Sequence, residues 1–335
     1  MRTDGRTVIA VDAAGGDYAP QEVVKGAAAA AEEYGVHIAL VGRIALLEKL
    51  LRRYKIKPSL AMVEATEVID CNELPIQAVR SKPDSSIVVG TRLVRDGFAS
   101  AFVSAGNTGA MVGAAFLNLE RIEGVKRPAL CSVVPIDSAN PALLIDVGAN
   151  VDCRPEFLVQ FAQLAVIFAR GVLGIDSPRV GLLNGSEAGI ESNPLARDST
   201  QLLENVNLNF IGSVGGHEIF MGKADVIVTD GFTGNVVIKT IEGLADIIQN
   251  LLSSDKAFEI ARDLEGAALV HYTKLASMVE RLDYQEYGGA CLLGINGNII
   301  VAHGRSRAKA IKNAIHLAYK ASEAGVVQAI REGMK

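Results

Sequence analysis

Tryptophan is absent and aromatic residues are only 5% of the 335 positions. What stands in their place is 33 glycines in a chain that is 49% hydrophobic. That small, aliphatic balance suits helices packed tightly on a buried sheet and excludes disorder and coiled coil. Positive charge is not in excess either: 33 basic against 38 acidic residues give a net charge of -5. No field is left over to draw in a phosphate backbone, which excludes a general nucleic-acid binder. The four cysteines, Cys71, Cys131, Cys153 and Cys291, lie far apart without a C-x-x-C pair. A zinc knuckle and a disulfide framework are thereby excluded, and reduced, mostly buried thiols are expected. No apolar run approaches the ~20 residues that span a bilayer. The start, MRTDGRTVIAVD, enters a strand-like segment at once, so the expectation is a cytoplasmic protein without a signal peptide.

At 335 residues the chain exceeds twice a usual domain of ~150 residues. Strand-like runs, TVIAV (7–11), HIALV (37–41), AFVS (101–104), ALLIDV (142–147), RVGLL (179–183), DVIVT (225–229) and NIIVA (298–302), alternate with stretches of helical period. The helices are expected over 20–34, 44–54, 86–96, 108–121, 155–172, 194–205, 233–252, 256–281 and 306–331, the first with Asp17 as N-cap and Pro20 in its first turn. This alternation predicts an α/β sheet covered on both faces. The widest non-periodic stretch, NGSEAGIESNP (184–194), reads as a loop, so one intertwined unit is expected.

Four strands end in related turns: VDAAGGD (11–17), SAGNTGA (104–110), DVGANVD (146–152) and TDGFTGN (229–235). In a wound sheet ligands gather beyond the carboxyl ends of strands. Glycines let the backbone approach a ligand, and Ser, Thr and Asn add donors, which together describe a seat for a small anion such as phosphate. The other reading of SAGNTGA is an ordinary tight turn in which Ser104 and Asn107 only cap. Nucleotide fingerprints are missing: G-x-G-x-x-G does not occur, GNTGAMVG (106–113) has the wrong spacing, and HEIFMGKAD (217–225) lacks the Walker pattern. There is no G-x-S-x-G elbow, and His217-Glu218 lacks a second zincin histidine. No cofactor and no metal are expected. His303, just after a strand in VAHG (301–304), is a candidate acid/base group or phosphate donor, or else a histidine that caps its turn. His37, His217, His271 and His316 are scattered and form no cluster.

Beyond single turns, AVDAAGGDYAP (10–20), LPIQAVRSKPDSS (74–86), SAGNTGAMV (104–112), RPAL (127–130), DVGANVD (146–152), GLLNGSE (181–187), ADVIVTDGFTGNVVIKTIEG (224–243) and YGGACLLGINGNIIVAHG (287–304) follow in order. Together they resemble the phosphate acyltransferase family, whose members move a long-chain acyl group from acyl carrier protein to inorganic phosphate. The acyl phosphate then serves phospholipid synthesis through a membrane glycerol-phosphate acyltransferase. The resemblance implies a three-layer α/β/α fold with one mixed sheet, similar to isocitrate and isopropylmalate dehydrogenases. It further implies a cytoplasmic homodimer with an active site in a cleft and no cofactor. Approximate subdomains are then 1–105 plus 295–335, and 106–294.

A good fraction of phosphate is dianionic near neutral pH and can attack a thioester without a strong base or a covalent enzyme intermediate. The resemblance therefore points to Asn107, Asn235 and His303 as catalytic. It points to Ser104, Gly106, Thr108, Gly109, Asn150, Gly231, Thr233 and Gly234 as the phosphate and substrate seat. Asp12, Gly15, Gly16, Asp17 and Asp230 would support the turns, since a bare carboxylate repels phosphate. Three places depart from the family pattern: AGIESN (188–193) lacks the lysine of a usual K-G-N, SVGGHE (213–218) replaces N-V-E-G-R-D, and HGRSR (303–307) replaces H-G-S-S. The acidic carrier protein is expected to dock on Arg305, Arg307, Lys309 and Lys312, with Arg52, Arg53, Lys55 and Lys57 as second choice. A helical hairpin over 240–282 is expected either to make peripheral membrane contact or to pack in the dimer. Rival functions are a phosphotransacetylase-like enzyme using acyl-CoA, a dehydrogenase on the same scaffold, and an inactive acyl- or phosphate-binding regulatory protein.

Overall fold

Along the buried strands successive side chains go to opposite faces. In β1 (Val8–Asp12), Ile9 and Val11 join one core cluster and Ala10 the other. Phe102 in β4 (Ala101–Ser104) faces away from Ala101 and Val103 in the same manner. The computed structural model describes residues 7–56, 60–137, 140–185, 193–252, 273 and 284–334. The other strands are β2 (His37–Gly42), β3 (Ala61–Glu64), β5 (Ala129–Asp137), β6 (Asn140–Ile145), β7 (Val180–Leu183), β8 (Phe210–Val214), β9 (Val226–Val228), β10 (Ala290–Leu293) and β11 (Asn298–Val301). All join one sheet in the order β3-β2-β1-β4-β11-β10-β5-β6-β9-β7-β8.

Helices α1 (Gln21–Tyr34), α2 (Ile44–Arg53), α6 (Pro155–Phe168), α7 (Pro194–Leu203), α9 (Ala308–Glu323) and α10 (Val326–Gly333) cover one face. Helices α3 (Pro75–Ser81), α4 (Ser86–Arg95), α5 (Thr108–Leu119) and α8 (Gly231–Leu252) cover the other. The result is the three-layer α/β/α arrangement with a mixed sheet.

The sheet reverses in its middle. β10 is antiparallel to β11 and β5, and β5 is antiparallel to β6, whereas every other pairing is parallel. The two outer halves therefore run in opposite senses. Register then decides where their ends fall. Ser104, Val301, Ala290, Ser132, Leu144 and Ile227 lie in one row across the sheet. Ser104 and Val301 end β4 and β11, and β6 and β9 end one residue past the row, at Ile145 and Val228. The carboxyl ends of the opposed halves thus face each other across β10 and β5, and the turns of both halves meet there.

Several elements differ from the sequence reading. Strands β3, β5, β8 and β10 and helix α3 were not expected from periodicity. The last helix is two, because Gly325 adopts a left-handed conformation (φ 62°) between α9 and α10. Pro20 itself is the N-cap of α1, and Asp17 instead donates its backbone N–H to the Gly304 carbonyl at 2.8 Å. The helical stretch Pro155–Leu173, α6 and its closing π turn, spans 19 residues with mean hydropathy 1.5, long and apolar enough by composition to cross a membrane. Polar residues such as Gln160 and Gln163 hide that run from a reading by uninterrupted apolar length. Here Phe161, Ala162, Leu164 and Ala165 are fully buried, and α6 packs on β6, β9 and α7 as a core helix. Burying one such phenylalanine is worth about 1.5–3 kcal/mol. The expected helix 256–281, residue 273 apart, lies outside the described residues.

Candidate active site

Three aspartates organise the turns. Asp12, buried, accepts the backbone N–H groups of Ala14 at 2.9 Å and Gly15 at 3.0 Å on Oδ1. Its Oδ2 accepts the Ser104 hydroxyl at 2.7 Å, and that hydroxyl accepts the Gly106 N–H at 3.0 Å. Ser104, predicted to touch phosphate, thus has its one proton committed to Asp12 and ties the first turn to the second. Gly16, at φ 106°, and Asp17 carry the first turn against the 303–306 segment.

In the second turn Asn107 is the N-cap of α5, its Oδ1 accepting the Ala110 N–H at 3.0 Å. Its Nδ2 donates to the carbonyls of Asp70, Cys71 and Glu73 at 3.1, 3.3 and 3.3 Å. The side chain is spent on holding α5 and the 70–73 loop together. What remains open is backbone: Thr108 and Gly109 are exposed, line the cleft, and their N–H groups have no partner among the described residues. Unpaired N–H groups and the macrodipole of a helix start favour an anion there.

Asp146, fully buried, holds the third turn. Its Oδ1 accepts from the N–H groups of Leu130, Gly148 and Ala149 at 3.0, 3.1 and 3.0 Å. Its Oδ2 accepts the Asn150 N–H at 2.7 Å and the Asn150 Nδ2 at 2.8 Å. Burial pushes this carboxyl above the usual aspartate range, with the donors pulling the other way. Asn150 Nδ2 also donates to the Pro128 carbonyl at 2.8 Å, and the Asn150 carbonyl accepts the Gly231 N–H at 2.7 Å. Asn150 therefore braces the turn and the start of α8. Asp230 accepts both the Thr233 N–H at 2.8 Å and the Thr233 hydroxyl at 2.7 Å. Gly234 has no alternative, since a Cβ would stand 1.9 Å from the Asp146 carbonyl oxygen. One residue on, the exposed Asn235 side chain lies over Gly148 with no hydrogen-bond partner among the described residues.

These turns enclose a cleft of about 410 Å³. Thr108, Gly109 and Asn235 line it, while Leu130, Val133, Val147, Ile238, Ile241 and Val301 give it an apolar wall. His303 closes one side. Its Nδ1 accepts the Arg305 N–H at 3.1 Å, which leaves Nε2 to donate to Glu242 Oε2 at 3.1 Å. Lys239 Nζ meets the same oxygen at 2.8 Å, and Arg305 pairs with Asp246 at 2.9 Å. Burial pushes the Glu242 carboxyl up, but His303 and Lys239 outweigh it and hold it below the usual range. Cys71, exposed at the cleft, departs from the expected burial of the thiols, and Cys153 is half-buried.

The structure brings Asn107, Thr108, Gly109, Asn235 and His303 to one cleft, with Gly106 behind them. It gives the side-chain donors of Ser104, Asn107, Asn150 and Thr233 to internal partners. Sequence reasoning passed over Asp146, Glu242, Lys239 and Cys71. The signal for two of them was present: Asn235, Lys239, Glu242 and Asp246 recur at helical spacing. The expected docking cations are engaged within the chain. Arg307 lies 4.3 Å from the Tyr18 ring centre, Lys309 pairs with Glu286, and Lys312 meets Glu33 at 2.8 Å.

The overall fold is similar to that of a solved phosphotransacetylase from Streptococcus pyogenes. The likeness has a TM-score of 0.63 at 18% identity and covers 96% of this chain and 94% of that one. The fatty acid synthesis protein family matches residues 7–329. A phosphate acyltransferase of Dehalococcoides mccartyi is 48% identical over 328 residues, covering 98% of this chain and 94% of its own. One of Desulforamulus reducens is 45% identical over 329 residues, covering 98% and 97%. The chain belongs to the phosphate acyltransferase family.

Proposed function

We propose that the chain transfers an acyl group from the thioester of acyl carrier protein to inorganic phosphate. The observation that carries this reading is the pairing of the open N–H groups of Thr108 and Gly109 with the apolar wall of the same cleft. Phosphate held at the helix start and by Asn235 attacks the thioester carbonyl carbon. A C–O bond forms, the C–S bond breaks, and the carrier leaves as thiolate, which takes a proton from solvent. The acyl chain lies along Leu130, Val133, Val147 and Ile238. Positioning and donors aimed at the developing oxyanion supply the catalysis. His303 Nδ1 braces its own turn through the Arg305 N–H and Nε2 ties that turn to Glu242 of α8, so in this scheme His303 shapes the wall of the site.

The test is phosphate-dependent release of free carrier thiol from acyl carrier protein by the purified chain, with acyl-CoA as rival donor. Faster turnover of acyl-CoA would favour the phosphotransacetylase-like alternative. Absence of phosphate-dependent release from either donor would leave the regulatory reading. We also propose peripheral membrane contact through α8, whose Phe232, Val236, Leu244, Ile247 and Leu251 form an exposed apolar stripe at helical spacing. Co-sedimentation with anionic liposomes that persists unchanged after Ile247→Glu and Leu251→Glu would sink that contact.

A further inference from the structure

Helix α8 carries Asn235, Lys239, Glu242 and Asp246 at steps of four, three and four residues, on one face. The first three line the cleft. Among the described residues, Lys239 and His303 are the basic side chains that line it, and both hold one carboxylate oxygen, Glu242 Oε2, at 2.8 and 3.1 Å. The two sides of the lysine pair are not equally fixed. Glu242 is 12% exposed and keeps His303 when the lysine leaves, whereas Lys239 is 52% exposed on a flexible stem. An ion pair that open to solvent contributes little and is cheap to exchange. A phosphate dianion is the better partner for an ammonium. One helical turn back along α8, the Asn235 amide lacks a partner among the described residues.

We propose that Lys239 is the cation that receives inorganic phosphate in this cleft, and that Glu242 is its resting partner, pairing with the ammonium a turn from Asn235 until the anion arrives. The inference rests on reading the cleft as the phosphate seat. On binding, Lys239 moves from Glu242 to phosphate, and Glu242 stays on His303. Glu242 is thus a built-in competitor for the lysine. Its neutralisation and the loss of the lysine must act on phosphate in opposite directions.

The experiment is calorimetric titration of the purified chain with inorganic phosphate, alongside the phosphate KM in the thiol-release assay. Lys239→Ala should weaken phosphate binding about tenfold or more, the loss expected of one charge-assisted hydrogen bond. Lys239→Arg should recover most of it. In Glu242→Gln the amide oxygen still accepts from His303 Nε2. That variant should bind phosphate roughly two- to fivefold more tightly, with KM falling and kcat moving less. A merely structural pair would give no change in phosphate affinity at fixed fold. Wild-type affinity in Lys239→Ala, or weakened binding in Glu242→Gln, overturns the proposal, as does a wild-type chain that binds no phosphate. Should Lys239→Ala fail to fold by circular dichroism, Lys239→Gln takes its place, and the opposed signs of Lys239→Gln and Glu242→Gln carry the test. A wild-type chain that shows this binding pattern but releases no thiol would sink the transfer reaction and keep the Lys239 assignment.

Discussion

Asn107 and Asn235 stand on facing walls of one cleft, in turns that share a Gly, a Thr and an Asn, and they do different work. Asn107 precedes the first residue of α5 in an extended conformation (φ -61°, ψ 111°), so its side-chain Oδ1 curls back to the Ala110 N–H. Its amide then finds the 70–73 carbonyls. Asn235 is the fifth residue of α8, where a side chain projects off the helix and cannot reach the orphan N–H groups at the start. A motif residue's task is set by its place relative to the helix start more than by its type.

The glycines of these two turns offer the largest break in the comparison. Gly234→Ala sets a methyl 1.9 Å from backbone oxygen of Asp146, and urea unfolding should show a loss of about 3 kcal/mol. Gly109→Ala meets the Pro75 ring at 2.6 Å. That contact is with a ring and not with backbone, so the loss should be smaller, about 1 kcal/mol. Equal losses in the two variants would remove the distinction.

The asparagines come next. Asn235→Ala should lower kcat/KM roughly tenfold through one lost donor to an anion, with an unchanged melting temperature. Asn107→Ala should show the reverse weighting, a stability loss of about 1 kcal/mol from the missing cap and a displaced 70–73 loop. Wild-type kinetics in a folded Asn235→Ala protein would end its role as phosphate donor.

Thiol reactivity sharpens the picture of the Asn107 wall. Burial pushes Cys291 up to about 12 and Cys131 well up as well, while burial of Cys153 takes it to about 11. Iodoacetamide followed by mass spectrometry should therefore label Cys71 first. Its alkylation should cut turnover severalfold, and Cys71→Ala should be immune to the reagent. The smallest effect concerns the α8 wall. Glu242 is held below the usual glutamate range, so the stability it contributes is present above that range and is lost as pH falls through its folded value. The difference in unfolding free energy between wild type and Glu242→Gln should shrink on acidification. A difference constant from neutral pH into acid would contradict the pairing.

Much of the layered fold was legible because buried parallel strands read as short apolar runs. The reversal of the sheet was not, because its carriers are poorly marked. β5 holds Ser132 and Pro135, and β10 is four residues inside the glycine-rich YGGACLLG. The mixed sheet was available only through family resemblance. The turns that line the cleft could be located from their Gly, Thr and Asn residues. Which atoms stay open could not, since the partners that occupy Asn107 lie 34 to 37 residues away in the chain and the Pro128 carbonyl lies 22 from Asn150. Lys239 and Glu242 were within reach of helical spacing but lay in a stretch read for its apolar face alone.

The antiparallel pair at the centre of the sheet has a mechanical consequence. Beneath the cleft, β11, β10, β5 and β6 form an unbroken hydrogen-bonded floor, with α5 rooted on one side of it and α8 on the other. Sheets are twisted as a rule, and torsion of β10 and β5 is a mode of motion that changes the width of the cleft. Torsion turns both walls together and by related amounts. The Thr108 amide and the Asn235 side chain are in this sense two jaws on one torsion bar, so a substitution that alters twist at β10 is felt by both proposed phosphate contacts at once.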